Sequence, residues 1–365
     1  MQYTRWVFVT GFLMLLYAPL LAFNFLGTTS ASEKRDLEVL PKFSFPALLT
    51  PVFFKGVEKY IEDRIGFKSE MVYLYTVIQF SVLQKRANKK ILVGKDRWLF
   101  YTDKEGGDNF SDFNKTNLFS ESEALRIADR IQEVEYYFKK HGIKFLFVIA
   151  PNKHNIYPEF YPFKRPEGFT RTDQIVKHLD EKNVSYIYLR DYLIDKKSSN
   201  YPIYYETDTH WNDRGAYHAS EIIREKIQNY FPGKKIHDVA YEFKIKNDYR
   251  GDLLNMLGYK KFRKATVIDV FVQGNSTEKY FQYLIKDDND GGRVLTEGKD
   301  KSLPHAVIFR DSFFVSLEPF VSVLFSEADY HWRYYKDEDK KYILEKKPDI
   351  VIWEMIERNI PVVLN

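Results

Sequence analysis

Short apolar runs alternate with amphipathic segments along most of the chain, and this alternation predicts an α/β domain. Four runs are almost wholly apolar and of strand length, which is typical of strands buried on both faces of a parallel sheet: 143–150, 184–189, 305–309 and 349–354. Between such runs the apolar residues recur at helical spacing, as in 120–141. Strands that alternate with helices predict a parallel sheet with helices on both of its faces.

Capping residues mark the ends of two predicted helices. Ser120 and Glu123 have the spacing of a capping box ahead of the first helix, and Gly142 stands where that helix should end. Asn212 is a suitable N-cap for a second helix that continues to Tyr230. These residues therefore set the bounds of two helices beside the sheet.

The N-terminal segment 6–26 carries no charge over 21 residues. A helix of that length matches a hydrocarbon core of roughly 30 Å, so one transmembrane helix is predicted ahead of the domain. Arg5 precedes the segment without a nearby acid, whereas charges of both signs follow it. This asymmetry predicts a cell-membrane anchor and an extracytoplasmic body, periplasmic or extracellular. The alternative is a cleaved signal peptide, with the small residues at 28–32 as cleavage region.

The chain is accordingly divided into an anchor at 1–26, a linker with neck helices at 27–90, and the α/β domain at 91–365. The interval of about 233–304 interrupts the strand–helix alternation with Lys, Asp, Asn and Gly. It is predicted to be a polar insertion with some hairpin character.

Composition excludes several classes of protein. An apolar fraction of 44% with 17% aromatic residues argues against disorder. The net charge is only +4, from 55 basic and 51 acidic residues, and no basic block indicates nucleic-acid binding. The chain contains no cysteine, so disulfides, thiol nucleophiles and thiolate metal sites are excluded.

Three residues have the types and positions that acyl-transfer chemistry needs. Ser312 directly follows the predicted strand 305–309, at a strand-to-helix turn of the kind that exposes a nucleophilic hydroxyl. A serine needs an imidazole to take its proton, and the imidazole needs a carboxylate to orient it. Asp208 and His210 are two residues apart, so in an extended segment they point to the same side. The three residues therefore predict a triad formed from two distant loops.

Other interpretations of the same residues remain open at this point. Asp208 and His210 are also compatible with a helix entry and a loop histidine, and Ser312 with an ordinary turn. A metal site would need Asp213 and His218 as further ligands, but His218 lies almost two turns into the following helix. We therefore predict no metal and no cofactor.

Several stretches together resemble the alginate O-acetyltransferase family of AlgJ and AlgX type proteins, which have an SGNH-hydrolase-like domain. They occur in family order over about 300 residues and are far more specific together than any one motif. The stretches are IEDRIGFKSEMVYLY (61–75), VGKDRWLFY (93–101), VIAPNKHNIYPEF (148–160), ETDTHWNDRGAYHA (206–219), YRGDLLNMLG (249–258), VIFRDSFF (307–314) and VIWEMIERNI (351–360).

The resemblance implies an SGNH-hydrolase-like fold and a catalytic role for Asp208, His210 and Ser312. It also implies O-acetylation of an exported polysaccharide through an acetyl-serine, with the acetyl donor supplied by a membrane-bound O-acyltransferase. Alternatives are an acetylesterase with the same triad, in which water takes the acyl group, and a non-catalytic polysaccharide-binding scaffold. Donor-dependent acetylation of sugar, as against ester hydrolysis, separates the first two.

Four further residues are candidates for substrate binding, and the resemblance places two of them in a loop that borders the site. Lys153 and Tyr157 lie in the loop after strand 143–150, and a structural tyrosine hydroxyl is the alternative for Tyr157. Trp211 either stacks on a sugar face or packs beneath its loop. Arg310 immediately precedes the Asp311–Ser312 pair, where a small residue is expected in relatives.

Overall fold

The computed structural model describes residues 2–25, 29–30, 35–46, 50–67, 71, 90–198, 201–234, 236, 239–257, 265–272, 277–287 and 292–364. The chain forms two compact units. One comprises residues 1–87 and 257–259, and the other comprises residues 88–256 and 260–365.

The N-terminal unit contains helix α1 (Gln2–Leu21) and helix α2 (Pro51–Arg64). Thr50 caps α2, with Pro51 in the first turn. A two-stranded pairing of Thr29–Ser30 with Arg35–Asp36 lies between the helices. The predicted neck helices over 51–90 are therefore represented by α2, and residues 68–70 and 72–89 lie outside the described residues.

The predicted membrane span over 6–26 is not found. Helix α1 begins in the polar residues Gln2 to Arg5 and ends at Leu21, so the last part of the apolar run lies outside it. In the part of the chain that the structure describes, no helix combines the length and hydropathy required to cross a membrane.

A seven-stranded sheet is the centre of the second unit. In spatial order its strands are β2-β1-β7-β5-β6-β4-β3. The bounds are β1 Lys144–Ala150, β2 Tyr186–Tyr188, β3 Phe281–Lys286, β4 Arg293–Gly298, β5 His305–Arg310, β6 Glu327–Trp332 and β7 Ile350–Ile356. The first five strands in this order are mutually parallel, and β4 and β3 extend the sheet in antiparallel fashion.

Helices and short hairpins surround this sheet. The remaining α-helices are α3 Asn109–Phe113, α4 Glu121–Lys140, α5 Lys153–Ile156, α6 Arg171–Glu181, α7 Arg190–Lys196, α8 Asp213–Tyr230, α9 Asp252–Met256, α10 Glu318–Val321 and α11 Asp339–Lys346. Two antiparallel hairpins pair Ile91–Val93 with Leu99–Tyr101 and Tyr241–Tyr249 with Ala265–Val272. Short 3-10 helices span Lys95–Arg97, Pro158–Phe160, Thr277–Lys279, Ser312–Ser316, Ser322–Leu324 and Glu357–Leu364.

Both faces of the sheet are covered, which explains why its central strands are apolar throughout. Along β1, Leu146 and Val148 pack into the core that contains α8, whereas Phe145 and Phe147 pack into the core that contains α4 and α6. Every residue of β7 is buried. A strand in this environment has no polar face, and hence no alternation in its sequence.

The four predicted strands are found with bounds that differ by at most two residues from the predicted ones, and β2 is shorter than predicted at both ends. The predicted parallel sheet is found in five strands, and β3 and β4 add an antiparallel edge that makes the sheet mixed. Both strands come from the interval 233–304 predicted as a polar insertion, which also contains the hairpin Tyr241–Tyr249 with Ala265–Val272. On β4 buried and half-buried residues alternate, as expected at the edge of a sheet.

The predicted helix caps are confirmed. Ser120 and Glu123 form a complete capping box at the start of α4. Gly142, just after α4, has a φ of +76°, a conformation that glycine adopts without steric cost. The Asn212 side chain accepts a hydrogen bond from the backbone of Gly215 at the start of α8.

Candidate active site

Two loops at the carboxyl ends of the parallel strands bring Asp208, His210 and Ser312 together. Ser312 opens the 3-10 helix that follows β5, and the other two residues precede helix α8. In open α/β sheets ligands bind at this edge, because each loop there leads from a rigid strand into a helix. His210 and Ser312 are 102 residues apart in the sequence, and the fold brings their side chains within hydrogen-bond distance.

The three side chains form one continuous chain of hydrogen bonds. Ser312 Oγ lies 2.8 Å from His210 Nε2, and His210 Nδ1 lies 2.6 Å from Asp208 Oδ1. A carboxylate can only accept, so Nδ1 carries the proton and Nε2 is free to accept the proton of the serine hydroxyl. The Asp208 carboxylate also accepts from the His210 backbone N–H at 3.0 Å. This is the arrangement that activates a serine as nucleophile.

Asp208 is buried and held by donors from a segment about 40 residues further along the chain. Its Oδ2 accepts from the Tyr249 hydroxyl and from the Asp252 backbone N–H, each at 2.8 Å. Burial alone would raise the pKa of Asp208, but the hydrogen bond and charge of His210 and the backbone donors outweigh it. The pKa of Asp208 is held well below its usual range, so the carboxylate stays ionised.

A second carboxylate, that of Asp252, bonds to the same loop at Thr209. Asp252 accepts from Thr209 N–H at 2.8 Å and from Thr209 Oγ–H at 2.6 Å, and its Oδ2 lies 3.9 Å from His210 Nδ1. Burial and the nearby charge of Asp208 raise the pKa of Asp252. Gly251 allows this close approach, because a Cβ there would clash with the Thr207 carbonyl.

The turn that presents Ser312 is fixed by Asp311. One Asp311 oxygen caps the 3-10 helix by accepting from Phe313 N–H at 2.8 Å. The other accepts from Ile356 N–H at 2.8 Å and from the Tyr334 hydroxyl at 3.1 Å, which ties the turn to the end of β7. The Asp311 carboxylate thus serves the backbone of the turn.

A buried glutamate completes this support. Glu354 accepts from the Asp311 backbone N–H at 3.0 Å, and its own pKa is raised well above the usual range by burial and by the Asp311 charge. The Ser312 backbone N–H bonds to no acceptor within the described chain. It therefore remains available for an oxygen of the substrate.

Trp211 joins the two loops of the site directly. Its indole N–H donates to the Phe313 carbonyl at 2.9 Å, and the two rings meet edge-to-face at 5.1 Å. The residue after His210 is therefore bonded to the residue after Ser312. Trp211 is fully buried, so the predicted stacking on a sugar face does not fit its position, and the alternative of packing beneath the loop does.

Lys153 bonds to the backbone of the loop that carries Asp208 and His210. Its ammonium donates to the backbone carbonyls of Asp208, Tyr205 and Glu206, at 2.6, 3.1 and 3.3 Å. Burial lowers the pKa of Lys153 to about 7, against the opposing effect of the nearby acids. The residue predicted to bind substrate is therefore engaged by the loop that carries Asp208, while it also lines a cavity beside that loop.

Two other predicted substrate-binding residues are in structural contacts. The Tyr157 hydroxyl, buried, accepts from Ile203 N–H at 2.9 Å. Arg310 is fully buried, with its guanidinium 4.4 Å from the Trp332 ring centroid and 3.8 Å from the Glu318 carboxylate. Neither side chain faces solvent, so the expectation of direct substrate contact does not fit their burial.

The alternative of a four-ligand metal site is not assembled. In the described residues, groups of three potential ligands occur as Asp208–His210–Asp252 and as Asp112–His154–Glu357. Neither group includes Asp213 or His218, and His218 pairs with Glu221 at 2.8 Å.

Sequence reasoning missed the residues behind Asp208. Tyr249 and Asp252 belong to one of the stretches that carry the family resemblance, YRGDLLNMLG, but nothing in their spacing linked them to residue 208. Tyr249 is the last residue of the hairpin strand Tyr241–Tyr249, and Asp252 lies three residues beyond it, both within the interval predicted as a polar insertion. The missing signal is a tertiary contact across 41 residues of chain.

Comparison with protein families matches residues 91–295 to the SGNH hydrolase-like domain of the acetyltransferase AlgX. The match covers more than half of the chain. The chain belongs to this family. The matched range therefore includes β1 to β3, the start of β4 and the Asp208–His210 loop, and the chain continues beyond it into the Ser312 turn and β7.

Individual relatives agree with this assignment. The chain is 25% identical over 256 residues to a probable alginate O-acetylase AlgJ of Pseudomonas syringae pv. tomato, covering 68% of this chain and 61% of that protein. It is 23% identical over 218 residues to the AlgJ of Pseudomonas putida, covering 58% of this chain and 52% of that protein. The chain thus spans little more than half the length of these relatives.

The fold is also shared with a solved structure. Bacillus cereus PatB1 superposes with a TM-score of 0.53 and 16% identity, covering 74% of this chain and 96% of PatB1. At this identity the likeness concerns the α/β fold alone.

Proposed function

We propose that this AlgX-family domain is an O-acetyltransferase that acts through Ser312, His210 and Asp208. The observation that carries the proposal is the unbroken hydrogen-bond chain between the three side chains, at 2.8 and 2.6 Å. Such a chain generates a serine nucleophile near neutral pH, and the family is one of acetyltransferases.

In the first half-reaction Ser312 takes the acetyl group. His210 Nε2 accepts the hydroxyl proton as Ser312 Oγ attacks the carbonyl carbon of the acetyl donor. The bond from acyl carbon to leaving group then breaks, and His210 returns the proton to that leaving group. Asp208 holds the ring orientation and stabilises the imidazolium that forms between these steps.

The tetrahedral intermediate needs hydrogen-bond donors for its negatively charged oxygen. The Ser312 backbone N–H is the first candidate, because it is unbonded within the described chain and belongs to the nucleophile itself. The backbone N–H of Phe313 is not free to bond to this oxygen, since it donates to the Asp311 carboxylate at 2.8 Å.

In the second half-reaction a sugar hydroxyl attacks the acetyl-serine. His210 takes the hydroxyl proton, the sugar oxygen bonds to the acetyl carbon, and Ser312 Oγ leaves and regains a proton. We propose an exported polysaccharide as acceptor, on the grounds that the matched relatives are named alginate O-acetylases. We further propose that a membrane-bound O-acyltransferase supplies the acetyl group and that the domain works outside the cytoplasm.

The direct test is acylation of the purified protein by p-nitrophenyl acetate, followed by peptide mass spectrometry. One acetyl group is expected on Ser312, and Ser312→Ala should lower p-nitrophenol release by about 10⁴-fold or more because the covalent route closes. Ser316→Ala is the matched control, because Ser316 ends the same 3-10 helix and should leave acylation intact.

The fate of the acetyl group distinguishes transfer from hydrolysis. With alginate oligosaccharide present, the acetyl group should appear on the sugar faster than free acetate is released. Acetate release without sugar acetylation would identify an esterase instead, and an unmodified Ser312 would contradict the triad.

A further inference from the structure

A polar cavity lies beside the triad and has no role in the mechanism above. Its wall includes Thr209, whose hydroxyl is 3.1 Å from His210 Nδ1. The cavity therefore adjoins the loop that carries Asp208 and His210, which we call the dyad loop. The residues that line it are Phe100, Tyr101, Asn109, Asn152, Lys153, His154, Thr209 and Arg358. Asparagine amides beside aromatic rings are suited to polar ligands that also have apolar faces.

Asn152 presents an unused donor in this wall. The side chain is 1% exposed, and its Oδ1 accepts from Arg358 at 3.0 Å. A guanidinium can only donate, so this bond settles which end of the amide is oxygen. The Nδ2 group then has no hydrogen-bond partner within the described chain. A buried N–H left unpaired costs about 1–3 kcal/mol, so a ligand or water is expected to accept it.

Asn109 presents the complementary group. It is 3% exposed, lines the same cavity, and its Oδ1 has no donor among the residues that the structure describes. One wall thus contains an unsatisfied donor and an unsatisfied acceptor. A hydroxyl group carries both complements, because it accepts through its oxygen and donates through its hydrogen.

Arg358 connects the cavity wall to the turn that carries Ser312. Its guanidinium lies 5.5 Å from the Phe313 ring centroid and 5.9 Å from that of Tyr101. Phe313 directly follows Ser312, so the group that orients the Asn152 amide also packs on the turn of the nucleophile.

We propose that this cavity is a sugar subsite, in which Asn152 Nδ2–H and Asn109 Oδ1 recognise a hydroxyl of a polysaccharide residue next to the one acetylated. The inference rests on the proposed function for the identity of the acceptor, but binding at the subsite does not require turnover. The acceptor polysaccharide would then bind along the side of the dyad loop on which Thr209 lies.

The test measures binding to a full-length protein that cannot turn over. An alginate tetrasaccharide is titrated into Ser312→Ala by calorimetry, and the titration is repeated with Asn152→Asp and Asn109→Ala added singly. Asn152→Asp retains an oxygen for Arg358 and removes the free donor, so the fold should be kept. Each change should weaken binding about fivefold or more, as expected for loss of one hydrogen bond.

Asn117→Asp is the matched control. Asn117 also has buried amide atoms without a partner in the described chain, but it does not line the cavity. It should leave the dissociation constant unchanged. Equal binding by the control and by both cavity variants would overturn the subsite and would mean that the cavity holds ordered water only.

A second measurement covers the case in which a variant fails to fold. Hydrogen exchange on Ser312→Ala should show slower exchange with the tetrasaccharide at backbone amides of 98–109 and 152–157, and an unchanged pattern there would overturn the proposal. The two proposals fail separately. Tetrasaccharide binding that depends on Asn152, in a protein whose Ser312 is never acetylated, would support the subsite while contradicting the triad.

Discussion

Replacement of Lys153 by methionine is expected to reduce turnover sharply while it changes stability little. Methionine keeps the length and apolar body of the side chain but removes the amine that bonds to the carbonyls of Asp208, Tyr205 and Glu206. Without that amine the carbonyls must turn toward water, and the loop that carries the dyad shifts. A misplacement of about 1 Å near reacting atoms can cost about 10²-fold in rate, and we expect a loss of that order in kcat.

Two opposing terms make the stability change small. Three hydrogen bonds at about 1 to 1.5 kcal/mol each contribute roughly 3 to 4 kcal/mol. Against this, burial lowers the Lys153 pKa from 10.5 to about 7 despite the nearby acids, which corresponds to a net cost of about 5 kcal/mol for the charged form at low pH. Methionine removes both terms, so the free energy of unfolding should change by no more than about 2 kcal/mol.

The same pKa predicts how the stability difference depends on pH. Below about 10.5 the unfolded chain protonates Lys153, whereas the folded chain does so only below about 7. Between these values the unfolded state binds more protons, so this lysine makes stability rise with pH, and its contribution is constant below that window. Relative to Lys153→Met, the wild-type protein should gain about 2 kcal/mol between pH 7 and pH 9.

The assays are p-nitrophenyl acetate turnover and urea unfolding of both proteins across that pH range. Lys197→Met is the matched control, because Lys197 also bonds a backbone carbonyl, that of Ile156 at 2.9 Å, but does not contact the dyad loop. It should change kcat by less than about threefold. Wild-type turnover in Lys153→Met would refute the reasoning, since the loop would then be held without the amine.

Four further substitutions test other contacts of the site. Asp208→Asn should lower kcat by about 10⁴-fold with the fold retained, as measured by turnover and circular dichroism, because the amide misorients the imidazole. Tyr249→Phe loses one hydrogen bond to Asp208 and should cost about 1 kcal/mol of stability and a smaller loss in kcat; an unchanged kcat would exclude a catalytic contribution of that bond. Gly251→Ala places a Cβ against the Thr207 carbonyl, so denaturant unfolding should show a loss of about 1–3 kcal/mol together with lowered activity. Asp311→Asn should reduce kcat less than Asp208→Asn, because its carboxylate bonds to the backbone of the turn; a larger loss would reverse the roles of the two acids.

The sequence by itself determined the central strands and the ends of two helices. Burial on both faces requires apolar residues throughout β1 and β7, and this local requirement is visible as an uninterrupted apolar run. The capping box of Ser120 and Glu123 is equally local, since both of its hydrogen bonds close within one turn. Such features depend on neighbours in sequence, and a single sequence is enough to find them.

The residue types of the proposed triad could also be predicted, because a serine nucleophile needs an imidazole to take its proton and a carboxylate to orient the imidazole. Two residues of extended chain place Asp208 and His210 on one side, and a strand end exposes Ser312. The antiparallel edge formed by β3 and β4 was not predictable in the same way. Its pairing partners lie elsewhere in the chain, and polar edge strands resemble loops in composition.

Only the tertiary structure decided where the supporting side chains point. Lys153 was expected to face substrate and instead bonds the dyad loop, and Trp211 was a candidate for sugar stacking but is buried against Phe313. The donors to Asp208 come from Tyr249 and Asp252, more than 40 residues away. Hydrophobic periodicity indicates whether a residue is buried, because the apolar pattern along a helix or strand shows which of its faces packs against the core. It carries no information on which distant segment meets that residue, since the path of the chain through the other elements sets that contact.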